Sequence, residues 1–270
     1  MMDFITKNKQ NLKQGTQQPR LTYWVISAAV WLTVWQVLAG AVHEEILLVS
    51  PLCVFRRLCQ LIFVGSFWLT IVSSMGRILL GFFLGMGIGT LLAVLTNQSR
   101  LCYAVFYPII SIINATPVAS FIILALVWLS TAKVPVLTSC LIVMPSFWRN
   151  VSNGISETDS DLLEMAQVYR FGRRRTWMQV YIPSVLPYFS AACSTGIGMA
   201  WKAGVAAEVL ADTHLSIGGN LYDAKIYLET PDLFAWTAAI VLLSILLEKG
   251  LVRLIQMPVK KLYAGEKRCQ

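Results

Sequence analysis

Long apolar runs alternate with short polar segments along most of this chain. A helix that crosses about 30 Å of hydrocarbon needs roughly 20 mainly apolar residues. The pattern predicts an all-α membrane protein with about six such helices and one transmembrane domain at 21–257, between polar tails at 1–20 and 258–270. A short amphipathic piece is expected at Val54–Phe63. The predicted spans are Leu21–Gly40, Phe67–Thr96, Tyr103–Leu129, Val134–Trp148, Ser184–Leu210 and Phe234–Leu251.

The second predicted span contains a regular stripe of small residues. Gly81, Gly85 and Gly89 recur at a spacing of four, which places them on one helical face. Small residues at this spacing let two helix backbones approach closely in a membrane. Two interpretations remain: packing against another helix of the same chain, or packing against a second copy.

The third predicted span is interrupted by Pro108, Asn114 and the pair Thr116-Pro117. We expect a broken helix here. Irregular backbone at membrane depth is tolerated only where it is buried in protein or lines a water-filled cavity. Asn114 and Thr116 are therefore candidates for a gate or a pathway contact, and a simple kink is the alternative.

Composition and charge support the membrane assignment. Apolar residues make up 56% of the 270 residues and charged residues 13%, about half the charged share of a typical soluble domain. The net charge of +8 could suggest nucleic acid as a partner, but the charges cluster between the apolar runs. That placement is typical of cytoplasmic loops. A lipid bilayer is the expected environment, and nucleic acid is not an expected partner.

The distribution of Lys and Arg predicts the orientation. Six spans place both ends of the chain on one side, and the segments on that side hold sixteen Lys and Arg against four on the other. The side richer in positive charge faces the cytoplasm. We therefore expect both termini, the short segment at Arg100 and the long segment 149–182 to be cytoplasmic.

Little in the chain indicates a cofactor or catalysis. The six cysteines are scattered without a C-x-x-C pair, and only two histidines are present, so we expect no metal, no disulfide framework and no other cofactor. A phosphate-cradling G-x-x-x-x-G-K-[ST] loop is absent. Neither a nucleophile–base grouping nor an H-E-x-x-H motif supports a membrane enzyme.

The longest polar segment has the pattern of a helix, a turn and a second helix. Start and stop signals predict a helix from about Glu157 to Tyr169, with Ser156 or Thr158 as its cap. Gly172 should end this helix, Arg173–Val180 should form a second short helix, and Pro183 should restart the chain into the membrane. Such a protrusion between spans is suited to docking into a cleft on a partner protein.

This segment resembles the cytoplasmic loop of ATP-binding-cassette importer permeases. The loop reads Glu-Ala-Ala, three residues, Gly, nine residues, Ile, one residue, Leu-Pro. Glu164, Ala166 and Pro183 match it, and Val180 and Ile182 are conservative replacements. Met165 and Arg170 depart from the pattern, and Gly172 lies two residues beyond the expected glycine, which leaves the shape of the turn open. The resemblance implies that Glu164, Ala166, Arg170, Gly172 and Pro183 couple the chain to an ATPase subunit.

The resemblance extends over roughly residues 20–257. The SxxRxLxGFxxGxxxG stretch (Ser74–Gly89) and the WKAGVAAEVL stretch (Trp201–Leu210) are similar to the nitrate, taurine and aliphatic-sulfonate group of these permeases, which includes importers of thiamine precursors. The resemblance implies a type I, MetI-like architecture with a coupling helix at about 156–183, in a bacterial inner membrane. It also implies three partners: two copies of an ATP-binding subunit, a second copy of the permease, and an extracytoplasmic binding protein.

Three ionisable residues fall within or at the edges of apolar spans: Arg77, Lys202 and Glu208. Such residues usually pair together or face a cavity. Lys202 and Glu208 are about 120° apart around one predicted helix, so they are poorly placed to pair, whereas Arg77 could pair with Glu208. One interpretation is a buried ion pair that fixes helix packing. The other is that Lys202 or Arg77 supplies positive potential for an anionic substrate such as a sulfonate.

A secondary transporter driven by an ion gradient is the alternative function. Such transporters commonly contain inverted repeats with broken helices at corresponding positions. We detect no repeat, and the loop around Glu164 would then have no purpose. The permease interpretation is therefore preferred, with a sulfonate as the first candidate substrate and nitrate, bicarbonate and a thiamine-type pyrimidine behind it.

Overall fold

The computed structural model describes residues 21–42 and 47–266, so the predicted tail at 1–20 lies outside the described residues. Within these ranges every regular element is helical. In chain order they are α1 (Leu21–Val42), α2 (Pro51–Ile62), α3 (Gly65–Gln98), α4 (Arg100–Ala115), α5 (Val118–Trp128), α6 (Val134–Ser156), α7 (Ser160–Val168), α8 (Arg173–Thr176), a π-helical turn (Trp177–Tyr181), α9 (Ile182–Leu210), α10 (Ile217–Ile226) and α11 (Thr230–Glu266).

The number of helices that could span a membrane is smaller than the six predicted. Within the described residues, α1, α3, α6 and α11 are long and apolar enough, and α4 with α5 adds a fifth if the bent pair is one span. The helix α9 is not among them. Lys202 and Glu208 lie in its apolar stretch and lower its mean hydropathy. Its core-facing positions include small residues such as Ala192, Gly196 and Ala200, which allow close packing.

The core is built around α6, which packs between α3 and α9. The side chains of Ile78 and Phe82 from α3, Phe147 from α6, and Ile197 and Trp201 from α9 form its fully buried centre. The Trp201 indole N–H donates to the Ile240 carbonyl oxygen at 3.1 Å, which attaches α11 to the same core. The arrangement buries one face each of α3 and α9 and leaves their other faces exposed.

The glycine stripe of α3 packs within the chain. A Cβ added at Gly85 would lie 2.6 Å from the carbonyl oxygen of Cys140, and one at Gly89 would lie 2.5 Å from that of Met144. At Gly81 the added atom would meet the carbonyl oxygen of Val136. The three glycines therefore let α3 pack directly against the backbone of α6. This is the first predicted interpretation, packing against another helix of the same chain.

The interruption of the third predicted span is a sharp break. The axes of α4 and α5 differ by 105° across the residues between them. Thr116 closes α4, with its backbone N–H and its hydroxyl both donating to the Ile112 carbonyl oxygen, and Pro117 precedes the first residue of α5. Pro117 lacks an N–H and disfavours a helical conformation at Thr116, so the helix ends there.

Several predicted boundaries were wrong for local reasons. The fourth predicted span ends at Trp148, but α6 continues to Ser156 because Val151 and Gly154 remain buried. The tail expected from Pro258 is helical as far as Glu266. Between the fifth and sixth predicted spans the structure contains a further helix, α10, whose residues Ile217 and Ala224 are buried.

The amphipathic piece predicted near Val54 is α2, which packs on α11. The Arg57 guanidinium donates to both carboxylate oxygens of Asp232, with Nη2 at 2.9 Å from Oδ2. This hydrogen bond raises the pKa of Arg57 above its ordinary value, because it favours the charged form. The contact ties the start of α11 to the segment that links α1 and α3.

Candidate functional site

The segment that resembles a coupling loop begins one turn later than predicted. The chain leaves α6 after Ser156, and the Asp159 carboxylate accepts the Asp161 N–H at 3.0 Å, so Asp159 is the cap of α7. A carboxylate at this position satisfies a free N–H of the first turn. Neither Ser156 nor Thr158 caps the helix, and the predicted start at Glu157 is wrong.

The short helix α7 presents apolar side chains to solvent. Ala166 is buried against the rest of the chain, and Glu164 is exposed. Leu162, Met165 and Tyr169 are exposed at helical spacing on the outer side. An exposed apolar stripe on a protruding helix is typical of a docking element. The sequence pattern contained this stripe, but the motif drew attention only to Glu164 and Ala166.

The turn after α7 shows how the chain accommodates Arg170 at the position where the motif has glycine. Arg170 adopts a φ of 51°, in the left-handed region that glycine favours. Its N–H donates to the Gln167 carbonyl oxygen at 3.0 Å, and the Phe171 N–H donates to that of Ala166 at 2.8 Å. These two bonds define a Schellman motif. The expected shape of the turn is therefore present without its glycine.

Gly172 does not replace the missing glycine. Its φ is −64°, which every residue adopts, and no atom outside its own neighbours would meet an added Cβ within 4 Å. It precedes α8, and the chain then continues through the π-helical turn into α9 without a break. The predicted separate helix Arg173–Val180 is thus the first part of a longer helical run, and Pro183 lies in the first turn of α9.

A buried polar cluster joins α3, α9 and α10. The Arg77 guanidinium donates to Glu208 Oε1, with Nη2 at 3.1 Å, and also to the Ser73 hydroxyl and the Leu215 carbonyl oxygen. The Ser74 hydroxyl donates to Glu208 Oε2 at 2.8 Å. The Glu208 side chain is fully buried. Arg77 and Glu208 therefore form the ion pair that one interpretation of the sequence predicted.

The same cluster holds the first turn of α10. The Ile217 N–H donates to the Ser74 hydroxyl oxygen at 2.9 Å, and the Gly218 N–H donates to Glu208 Oε2 at 3.2 Å. The Ser216 hydroxyl accepts the Gly219 N–H at 2.7 Å. Three otherwise free N–H groups are thus satisfied. Sequence reasoning missed Ser74, although its spacing of three from Arg77 puts both on one face of α3.

Lys202 lies on the opposite side of α9 from this cluster. It is exposed, and it makes no hydrogen bond or ion pair with any other residue that the structure describes. The exposed positions of α9 follow one helical face, which also carries small and polar side chains. From residue 191 onward those positions are Ala191, Thr195, Met199, Lys202, Ala206 and Leu210.

Asn114 and Thr116 lie at the break between α4 and α5. Asn114 is exposed, and Thr116 is partly buried with its hydroxyl bonded to the preceding turn. The structure does not bring either residue into the cluster around Glu208. The five pathway candidates therefore lie in three places. Arg77 and Glu208 lie in the buried cluster, Lys202 lies on the exposed face of α9, and Asn114 and Thr116 lie at the break.

Comparison with known proteins shows to which family this chain belongs. Residues 85–256 match the family described as the binding-protein-dependent transport system inner membrane component. The chain belongs to this family. It is therefore a multi-pass inner-membrane permease subunit of an ATP-binding-cassette importer, and not the subunit that hydrolyses ATP. Family membership implies an ATP-binding subunit and a binding protein as partners, and it replaces the ion-gradient alternative.

Relatives of the permease carry different cargoes. It is 26% identical to the aliphatic sulfonates transport permease SsuC of Bacillus subtilis, over 86% of this chain and 84% of that protein. It is 26% identical to the nitrate import permease NrtB of Synechocystis, over 81% and 82% of the two chains. It is 27% identical to the bicarbonate transport system permease CmpB of Synechocystis, over 59% and 57%.

A solved structure supports the fold of the permease. A chain of the MetNI methionine transporter, in an inward-facing conformation, superposes with a TM-score of 0.54 at 16% sequence identity. The match covers 70% of this permease and 92% of that chain. The MetI-like architecture expected from the resemblance is therefore confirmed at the level of the fold.

Proposed function

We propose that two copies of this permease enclose a pathway for a small anion, and that Lys202 supplies the positive potential that attracts it. The observation that carries the proposal is the position of Lys202 on the exposed face of α9. A charged side chain that faces lipid at membrane depth is costly, so such residues face a cavity or another protein. The exposed face of α9 is then the wall of the pathway, completed by the second copy.

Arg77 is excluded from this role by its contacts. All three of its nitrogens already donate to groups of the same chain. The pair with Glu208 instead fixes the packing of α3, α9 and α10. Of the two cations Arg77 and Lys202, Lys202 is the one without a hydrogen-bond partner among the described residues, so its donors remain available for a ligand. An aliphatic sulfonate or nitrate suits such a site, since each offers acceptor oxygens and negative charge.

The α7 segment is proposed as the docking element for the ATP-binding subunit. Its exposed apolar stripe, Leu162, Met165 and Tyr169, fits a groove on a partner, and Glu164 lies beside it. Two such subunits that close on ATP would draw the two copies of α7 together. That rigid-body motion would switch the pathway from inward-facing to outward-facing. The excess of Lys and Arg supports a cytoplasmic position for this segment and both termini.

The break at Asn114 and Thr116 is proposed as part of the pathway wall. The exposed Asn114 amide ends α4 at a bend of 105°. Irregular backbone at membrane depth requires a cavity or protein around it. On the opposite side of the membrane from α7, the segment that contains α10 is proposed to meet the binding protein.

The docking part of the proposal is tested by co-purification with the ATP-binding subunit. We compare the wild type with Glu164→Ala and with the apolar variant Met165→Ser. Retention of the ATPase by the wild type, and its loss in both variants, supports the docking role of α7. Equal retention in all three proteins would overturn it.

The pathway part is tested in vesicles that contain the full transporter and its binding protein, with ethanesulfonate and nitrate as probes. Loss of a charge-assisted hydrogen bond costs about tenfold or more in affinity. Lys202→Met should therefore raise the anion concentration for half-maximal transport by about that factor, whereas Lys202→Arg should retain the wild-type value. An unchanged value in Lys202→Met, or transport of a neutral pyrimidine in place of both anions, would overturn the anion assignment.

A further inference from the structure

Two cavities adjoin where the coupling segment enters α9. The first has a volume of about 250 Å³ and lies between α3, α6, the π-helical turn and α9. Its wall is almost entirely apolar, with Val94, Ile155, Val185 and Phe189 among its lining residues. A cavity of this kind, at the surface of a membrane protein, favours a hydrocarbon chain over water.

The second cavity, of about 350 Å³, has a mixed wall that is more polar than the first, and it is lined by Gln98, Phe171, Arg173, Thr176, Trp177 and Tyr181. Trp177 and Tyr181 also line the apolar cavity, and their ring centroids lie 4.9 Å apart. The two cavities therefore share one aromatic wall, with an apolar side toward the span and a more polar side toward the coupling segment.

Arg173 is the available cation of the second cavity. It is exposed and has no hydrogen-bond or ion-pair partner in the part of the chain that the structure describes. Arg175, two residues on, is occupied, because it donates to Gln179 at 3.0 Å and lies over the Phe171 ring at 4.2 Å. Arg174 is exposed and lines neither cavity, which makes it a matched control.

We propose that these adjoining cavities bind one anionic phospholipid of the cytoplasmic leaflet. An acyl chain occupies the apolar cavity, and the headgroup phosphate accepts hydrogen bonds from Arg173. Trp and Tyr favour the membrane–water boundary, which agrees with their position between the two cavities. The assignment to the cytoplasmic leaflet rests on the proposed orientation of the permease.

The location gives the lipid a means to act on coupling. The aromatic wall belongs to the π-helical turn, which joins the coupling segment to α9. Single π-helical turns inside helices often occur at functional sites. A lipid bound between this turn, α3 and α6 would stabilise the connection between the coupling segment and α9. Motion of α7 reaches the proposed pathway through this connection.

The binding experiment uses the full-length permease in nanodiscs of phosphatidylcholine with a fixed minor fraction of phosphatidylglycerol. Retained lipids are counted by native mass spectrometry after release from the disc. Because a basic residue near an anionic surface contributes about 1 kcal/mol, Arg173→Gln should lower phosphatidylglycerol retention about fivefold. Arg173→Lys and Arg174→Gln should retain it. Val94→Phe, which fills the apolar cavity, should lower it without a change of charge.

Each of the following outcomes would overturn the proposal. An equal loss in Arg173→Gln and Arg174→Gln would indicate a diffuse basic surface. Retention in Val94→Phe with the wild-type melting temperature would exclude an acyl chain in the cavity. Displacement of the lipid by inorganic phosphate would indicate an ion site, and loss of binding when the ATP-binding subunit is added would indicate that Arg173 faces that subunit. Lipid counting needs neither transport nor ATPase activity, so failure of the proposed function would be seen separately.

Discussion

Arg77 and Glu208, which are 131 residues apart in the chain, form an ion pair of 3.1 Å in the protein interior. Both oxygens of the Glu208 carboxylate accept hydrogen bonds, because Ser74 and the Gly218 N–H donate to it as well as Arg77. The carboxylate thus connects three helices at one point. This geometry explains why two charged residues are kept in a largely apolar bundle: each of them has its partners within the chain.

Removal of one member of the pair should destabilise the permease strongly. Glu208→Ala leaves the Arg77 guanidinium buried without its partner and the Gly218 N–H without an acceptor. Breaking a buried pair in this way costs about 3–5 kcal/mol. The melting temperature in detergent should fall well below that of the wild type. Lys202→Ala, on the exposed face of the same helix, is the control and should melt like the wild type.

The double variant Arg77→Met with Glu208→Met separates pairing from burial. Replacement of a buried ion pair by apolar residues of similar volume is often neutral or stabilising. The double variant should therefore melt above the single variant Glu208→Met, which would reveal coupling between the two positions. Additive losses from the two single replacements would contradict the pairing.

Arg170→Gly should stabilise the turn after α7. A residue with a Cβ in the left-handed region costs about 1–2 kcal/mol relative to the right-handed region, and glycine avoids most of that cost. We expect slower amide exchange at Phe171 in the glycine variant. Arg170→Val should give faster exchange, because a β-branched residue is a poor fit for a positive φ. Gly172→Ala should leave the amide exchange rate of Phe171 unchanged. If Gly172→Ala raised that rate as much as Arg170→Val does, the assignment of the turn would be contradicted.

Much of the fold could be predicted because its signals are periodic. The glycine spacing in α3 and the charges of Arg77 and Glu208 are each visible in a short stretch of sequence. In the structure the glycines pack on α6, and Arg77 pairs with Glu208. The motif around Glu164 could be found for the same reason. The conformation of Arg170 could not, because a residue type does not reveal that neighbouring hydrogen bonds hold it at a positive φ.

Other features depend on contacts between distant residues. The helix α10 begins with Ile217-Gly218-Gly219, a pattern typical of loops, and its first turn is held by Ser74 and Glu208 from two other helices. The helix α9 is not counted as a span by hydropathy because it contains Lys202 and Glu208, and the partners that compensate the burial of Glu208 come from α3. The end of α6 at Ser156 likewise depends on packing beyond the apolar run.

Gly85→Ala should disturb the contact between α3 and α6. The added Cβ would lie 2.6 Å from the Cys140 carbonyl oxygen, and backbone is on both sides of the contact. Overpacking of this kind typically costs about 1–3 kcal/mol, so the melting temperature should fall. Gly87→Ala is the matched control, because nothing lies within 4 Å of its added Cβ. If both variants melt alike, the close approach of the two helices is wrong.

Gly218→Ala should test whether the contact between α10 and α9 is needed for the binding protein to stimulate ATPase activity. The added Cβ would collide with the Glu208 side chain and with the Val209 nitrogen at 2.5 Å, so the first turn of α10 must move away from α9. On the proposed orientation, this displaces the surface that meets the binding protein, on the opposite side of the membrane from α7.

The expected result is a loss of ATPase stimulation by the loaded binding protein, measured in vesicles with the full transporter. Co-purification of the ATP-binding subunit should remain at the wild-type level, since α7 is untouched. Gly198→Ala in α9, with nothing within 4 Å of its added Cβ, is the matched control and should respond fully. Full stimulation in Gly218→Ala would show that the response does not pass through α10, and the proposed contact with the binding protein would then have to lie elsewhere.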